Sequence, residues 1–445
     1  MFIAFDIMLA IMTLKPEGYL DRLLDKKMDS YLRTFGAVYV KGPKNSGKTW
    51  MSRNHSLSEI QIDTETLDAV EIDRSIALEG EAPRLIDEWQ MVPELWNDVR
   101  FRIDRTGKKG QYILCGSYSV SKKDEKRILH SGIGRIAPLE LQTMTLYESG
   151  DSDGSVSLMD LFDGAPVSAV SEEIGLRHLV HLVSRGGWPS NLDEGVDFKV
   201  ANRLYLEALC QRDAIVIDGV KRDPKKMMML IRALARNESK VVKKTTLRND
   251  MKEFDDEDIS TSTFDDYISV LEQLNMVWEQ TAFDPNLRSS IRVGKNPKRH
   301  MADPSLSFSA LRMTPESAIA DLRTFGLLFE AMCERDLRVY SEVDDGKLFH
   351  YRDDRGNEVD AIVELDDGRW GMFEIKLGQN QIDEAAGNLV KISRMFEEKG
   401  GRTPCLLCVL CGVCRYAYRR QDGVYVVPIT SLRERRLESA KASGQ

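Results

Sequence analysis

The spacing of apolar residues changes several times along this chain, and each change predicts a different element. Leu20, Leu23, Leu24 and Leu32 recur at helical spacing, so residues 18–34 should form an amphipathic helix. Phe35-Gly36-Ala37-Val38-Tyr39-Val40 is then apolar without alternation, the pattern of a strand buried on both faces of a parallel sheet. Arg84-Leu85-Ile86-Asp87-Glu88 and Tyr112-Ile113-Leu114-Cys115-Gly116-Ser117 repeat that pattern. Glu59-Ile60-Gln61-Ile62-Asp63 is a shorter strand candidate, and 93–105 reads as a helix with Pro93 in its first turn. From 171 to 236 Leu, Val, Ile and Ala recur at helical period, with Met227-Met228-Met229 in the core of that layer. Two short helices follow over 246–251 and 263–276, with Ser262 and Thr263 as caps, then a strand and a Pro/Asn turn. A helix over 325–338 precedes strands at 357–365 and 370–377, joined by Asp366-Asp367-Gly368. Residues 404–418 and 424–428 complete the strands, and the last fifteen residues read as a frayed helix.

At 445 residues the chain needs about three cores. The acidic, Gly/Ser-containing stretch 151–164 marks a boundary. A net charge of −9 excludes a chain-wide nucleic-acid binder, so any such contact must come from a local basic patch. No apolar stretch reaches the ~18 residues of a membrane span, and no membrane partner is expected. Residues 2–12 are apolar but contain Asp6 and lack a basic leader, so no secretion signal is expected, and residues 1–11 are read as an over-extended start with translation beginning at Met12. Seven cysteines, an odd number, fit a reducing, cytoplasmic setting.

The chemistry concentrates in Gly42-Pro43-Lys44-Asn45-Ser46-Gly47-Lys48-Thr49, followed by Trp50. This is G-x-x-x-x-G-K-S/T between a predicted strand and a predicted helix, the phosphate-binding loop of nucleotide hydrolases. Gly42 and Gly47 let backbone N–H groups turn toward anionic oxygens, and the helix N-terminus adds positive potential. Lys48 is expected to neutralise the β- and γ-phosphates of ATP, and the Thr49 hydroxyl to ligate Mg²⁺. Asp87 should hold the same Mg²⁺, and Glu88 should orient and deprotonate the attacking water. Ser117 is expected beside the γ-phosphate, with a turn cap as its plainer role. Arg135, within His130-Ser131-Gly132-Ile133-Gly134-Arg135, is a candidate for the arginine that reaches a neighbouring subunit's phosphate; a surface role is equally open.

Together these stretches resemble the core of AAA-type ATPases. The order of signatures resembles a large group of prokaryotic ATPases that end in a domain of unknown function with a nuclease-like core. Two further elements support this: Gly186-Gly187-Trp188-Pro189 and Asp218-Gly219-Val220-Lys221-Arg222-Asp223-Pro224. Residues 240–300 resemble a winged helix, but its second helix carries Asp265, Asp266 and Glu272 and no base, which argues against insertion into a DNA groove. Arg288, Arg292, Lys295, Lys298 and Arg299, with His300, form a basic patch that could touch phosphate, of DNA or of a neighbour's ATP, or be a solvated loop.

The final stretch resembles the PD-(D/E)xK nuclease core, in which Glu330, Asp360 and Glu374 would bind Mg²⁺ beside Lys376. A three-residue loop with Gly368 left-handed would set Asp360 opposite Glu374, whereas a two-residue turn would not. Cys405, Cys408, Cys411 and Cys414 have the spacing of a metal cluster. In a strand, however, Cys405 and Cys411 face one side and Cys408 and Cys414 the other.

The resulting expectation is an α/β protein: a parallel-sheet P-loop AAA-type ATPase core (1–155), a helical lid (156–236), a winged helix (237–315) and a mixed α/β PD-(D/E)xK-like domain (316–445). The resemblance implies an oligomeric, ATP-hydrolysing motor or switch acting on nucleic acid or protein. An ATP-regulated Mg²⁺-dependent nuclease and a non-hydrolysing switch are the alternatives.

Overall fold

The computed structural model describes residues 14–118, 120, 124–172, 174–255, 259–284, 296–398 and 400–435. The expected start region, Arg288, Arg292 and Lys295, and nearly all of the expected terminal helix lie outside the described residues.

Five parallel strands build the first sheet: β1 (Ala37–Lys41), β2 (Ser58–Gln61), β3 (Arg84–Asp87), β4 (Tyr112–Cys115) and β5 (Ile136–Glu140). Their order is β2-β3-β4-β1-β5. Every residue of β3 and β4 is buried, which is why these runs lack polar alternation. Since β4 lies between β1 and β3, the loops leaving β1, β3 and β4 emerge side by side at the carboxyl edge of the sheet. The helix expected over 18–34 begins only at Asp25 (Asp25–Thr34). The Asp25 carboxylate accepts the Arg22 N–H at 2.7 Å and the Tyr19 hydroxyl at 2.8 Å, tying the preceding residues into a turn.

The middle of the chain carries the helices Leu176–Arg185, Phe198–Ala208 and Pro224–Arg236, with a π-helical turn at Leu209–Asp213. The helices Lys244–Asp255 and Thr261–Gln273 follow, then an antiparallel pair, β8 (Val277–Gln280) and β9 (Lys298–Met301). The cap of the second helix is Ser260, whose hydroxyl accepts from the Thr263 N–H at 3.1 Å; Ser262 and Thr263, expected as caps, are already helical. Val241 forms an isolated antiparallel bridge with Lys298.

The third unit is a seven-stranded mixed sheet. It contains β7 (Ser168–Val170), β10 (Lys347–Arg352), β11 (Glu358–Glu364), β12 (Trp370–Gly378), β13 (Leu406–Val413), β14 (Tyr416–Arg419) and β15 (Tyr425–Pro428). The order is β10-β11-β12-β13-β15-β14-β7. Here the expected boundaries are corrected. Residues 156–170, assigned to the helical lid, supply β7 to this sheet, and β6 (Val156–Ser157) pairs with β16 (Leu432–Arg433). Strands of two and three residues leave no readable period; the unpaired edge of β14 decides the matter by accepting β7.

The long helix Leu322–Glu342 packs Phe325, Leu328, Phe329 and Met332 into one core with β11, β12 and β13, while Ile382–Glu398 covers the opposite face. Truncating a fully buried aromatic such as Phe329 to Ala would cost about 3–5 kcal/mol.

Candidate functional site

The loop after β1 closes against β5. Gly42 adopts φ +149°, and a Cβ there would lie 2.1 Å from the Leu141 carbonyl oxygen, so only glycine fits. Gly47 is left-handed at φ +94° and immediately precedes the helix Lys48–Asn54. Lys48 is buried, and its Nζ donates to the Pro43 carbonyl at 2.8 Å. Burial lowers the ammonium pKa, against the opposing pull of neighbours that include Glu88 and Asp87.

The Thr49 Oγ1 donates to Asp87 Oδ2 at 3.0 Å, bringing together the hydroxyl and carboxylate expected to share a metal. Burial, and then the adjacent Glu88 charge, raise the Asp87 pKa. Glu88 is a non-glycine residue at φ +55°, a strained conformation of the kind that clusters at functional sites. Ser117 Oγ donates to Glu88 Oε1 at 2.6 Å, and Gln90 Nε2 donates to Oε2. Lys48, Thr49, Asp87, Glu88 and Ser117 all line one cavity of about 810 Å³, within the usual range for a bound small molecule.

The other loop residues sit around this cavity. Lys44 and Asn45 line it; Lys44 Nζ pairs with Asp213 at 3.1 Å, and Trp50 is half exposed at the rim. Ser46 is buried. Arg135 is not in this chain's own cavity. It precedes β5 at the opposite edge of the sheet and pairs with Asp104 at 2.7 Å.

Two supporting residues escaped the sequence reading. Gln90 carries no motif. Arg22 is buried and spans the loop, donating to the Ser46 carbonyl at 2.8 Å and the Gln142 carbonyl at 2.8 Å while its Nε meets Glu148 at 3.0 Å. An arginine among expected helix residues gives no signal of this; only the fold brings it under the loop.

The second expected site is assembled differently. The turn is the three-residue Asp366-Asp367-Gly368, with Gly368 at φ +83° and the Leu365 N–H donating to the Arg369 carbonyl at 2.8 Å. Ala361 pairs with Phe373, and continuing that register by one residue sets Asp360 opposite Glu374. Lys376 Nζ lies 2.6 Å from Glu374 and 3.1 Å from Asp360. Burial pushes Glu374 up to about 8; Asp360 is held below the usual carboxylate range because Lys376 and Lys298 outweigh burial. Glu330 does not meet these groups through a shared metal geometry. Its carboxylate lies 2.6 Å from Lys298 Nζ. Among the described residues, no group of three or more His, Cys, Asp and Glu converges as a metal site.

The described part of the basic patch, Lys298, Arg299 and His300, is therefore corrected; Arg288, Arg292 and Lys295 lie outside the described residues. Lys298 and His300 are buried, and Arg299 is buried and paired with Glu279 at 2.8 Å, so none offers a free charge to phosphate. The cysteine reading changes too. Cys408 and Cys411 face opposite cores, but β13 ends at Val413, so Cys414 turns onto the Cys411 side rather than joining Cys408. Trp188 Nε1 donates to Ser305 at 3.0 Å, while Arg222 pairs with Asp218 at 2.7 Å and Asp266 at 2.8 Å, giving these two elements structural roles.

Residues 34–149 match the family model described as an AAA domain. These residues form a P-loop domain of the AAA type. Residues 176–317 and 325–432 match two families described as domains of unknown function, DUF8612 and DUF4143. Relatives of this chain include uncharacterized proteins of Mycobacterium bovis and Mycobacterium tuberculosis, each 24% identical over 349 residues, 76% of this chain and 70% of the relative. Among solved structures, a Walker-type ATPase of Pyrococcus abyssi aligns with a TM-score of 0.42 at 15% identity, covering 68% of this chain and 98% of that one. Drosophila ORC bound to DNA aligns with a TM-score of 0.19 at 13% identity, covering 65% and 92%. No helix among the described residues is long and apolar enough to cross a membrane.

Proposed function

We propose that this protein binds Mg²⁺ and ATP in the cavity at the carboxyl edge of the five-stranded sheet and hydrolyses the ATP. The carrying observation is the 3.0 Å contact between the Thr49 hydroxyl and the Asp87 carboxylate, in one cavity with Lys48. These hard oxygens suit Mg²⁺, which when bound neutralises phosphate charge. Lys48 would leave the Pro43 carbonyl to meet the β- and γ-phosphates. Glu88 would take a proton from water as the water oxygen bonds to the γ-phosphorus; the bond from that phosphorus to the bridging oxygen breaks, releasing ADP and phosphate. Ser117 and Gln90 would fix the angle of the Glu88 carboxylate.

Arg135, half exposed and outside its own chain's cavity, would be the arginine that reaches a neighbour's phosphate in an oligomer; its ion pair with Asp104 equally supports a surface role. The three helices from Pro224 to Gln273, the β8–β9 pair and the Val241 bridge support a winged-helix reading of the middle unit. Lys298 and Arg299 are engaged internally, so of the patch only Arg288, Arg292 and Lys295 would be left to meet DNA, and a protein partner is the alternative. Seven unpaired thiols support a reducing, cytoplasmic setting. The test is phosphate release by the wild type and Glu88→Gln, with and without DNA, alongside nucleotide binding. Stimulation by DNA would decide for the nucleic-acid reading. ATP binding without phosphate release would make the protein a switch.

A further inference from the structure

The nuclease-like core calls for a divalent ion among Glu330, Asp360 and Glu374, but an ammonium group already occupies the centre. Lys298 Nζ lies 2.6 Å from Glu330 Oε1, 3.0 Å from Glu334 Oε1 and 2.9 Å from the Asp360 carbonyl oxygen. Three acceptors use all three ammonium protons, and the side chain is fully buried. The neighbouring oxygens are also engaged. Asp360 Oδ2 accepts from the Ile375 N–H at 2.8 Å and from Lys376 at 3.1 Å. Glu374 Oε1 accepts from Asn388 at 2.8 Å, its Oε2 meets Lys376 at 2.6 Å, and Glu334 Oε2 accepts from Ser239 at 3.0 Å. A divalent ion needs several converging oxygens with lone pairs free, and this arrangement directs ammonium and amide protons at them instead.

We propose that Lys298 is a built-in cation standing in place of the metal, and that the terminal domain is a dock for β9 rather than a metal-dependent nuclease. Lys298 and His300 reach this centre from the same strand, His300 Nδ1 lying 3.7 Å from Glu334 and 3.2 Å from Glu238. Glu330 and Glu334 belong to the long helix, which four residues later presents Arg338 to Glu140 at 2.7 Å. Glu140 pairs with Lys41 at 3.2 Å, the residue before Gly42. The lysine centre thus fastens the middle unit to the helix that braces the nucleotide loop. This assignment does not depend on ATP hydrolysis.

The test uses the full chain carrying Asp87→Asn, which removes the metal ligand of the nucleotide cavity. Thermal midpoints are compared in EDTA and in about 1 mM Mn²⁺, and bound Mn²⁺ is counted by electron paramagnetic resonance. The expected result is a midpoint unchanged within about 1 °C and no stoichiometric Mn²⁺. A rise of several degrees with one bound Mn²⁺, both lost on adding Asp360→Asn, would overturn the proposal, as would Mn²⁺-dependent DNA cleavage lost in that variant. Adding Lys298→Gln should lower the midpoint and raise Mn²⁺ affinity at least about tenfold. A folded Lys298→Gln protein with no gain in affinity would also overturn it. Should that variant not fold, the titration with Lys298 intact decides alone.

Discussion

The two carboxylate–lysine sites of this protein use nearly the same side chains to opposite ends. Around Lys48, Asp87 and Glu88 the chain leaves a cavity of about 810 Å³, and the lysine rests on a backbone carbonyl while the acids hydrogen-bond to hydroxyl, thiol and amide groups. Around Asp360 and Glu374 both available lysines contact carboxylates directly, and Lys298 is wholly enclosed. A lysine whose nearest partner is a neutral carbonyl keeps its charge available for an anionic ligand. One surrounded by carboxylates has spent that charge internally. Composition of a site is therefore a weaker guide to chemistry than who already holds each charge.

The largest effect expected is at Lys48. Lys48→Ala should lower ATP-dependent phosphate release by about 10³-fold; unchanged release would erase the distinction between the two sites. Glu88→Gln should retain ATP binding and lose about 10²–10⁴ in phosphate release, read by single-turnover assay. The long helix sharpens the contrast on stability. Arg335 lies 2.8 Å from Asp303 and 2.7 Å from Asp336, all buried, so Arg335→Leu strands two charges and should cost about 3–5 kcal/mol by denaturant melts.

A smaller effect tests the support of the nucleotide site. His55 caps the helix that starts at Lys48, and it sits 2.8 Å from both Asp25 and Asp29. Burial lowers its pKa, but the two carboxylates win and raise it from 6.5 to about 9. The folded state therefore holds the proton more tightly than the unfolded one. That stabilisation is complete below pH 6.5 and is lost as pH rises to about 9, an effect on the order of 2 kcal/mol given the half-exposed Asp29. His55→Gln should abolish that part of the pH slope in thermal melts. Smallest of all, Asp360→Asn should leave phosphate release per folded molecule within about twofold, since Asp360 lines no part of the nucleotide cavity and its backbone carbonyl, which holds Lys298, is kept in the variant; a large loss would show the two sites coupled.

Sequence alone determined what depends on neighbours close in the chain. The phosphate loop, the acids ending β3 and the serine after β4 follow from backbone freedom at two glycines and from unbroken apolar runs. The pairing of Asp360 with Glu374 follows from a three-residue turn, because turn length fixes register. Only the tertiary structure decided where charges and edges end up. Lys298 looks like a surface base until β9 carries it between two acids of a distant helix, and Arg22 looks helical until the loop closes over it. Cys414 changes face where β13 stops, and three residues near 168 become a strand because β14 has an edge to fill. Local pattern encodes period and turn, whereas burial of a charge depends on partners hundreds of residues away or nearby only in space, and no spacing along the chain records them.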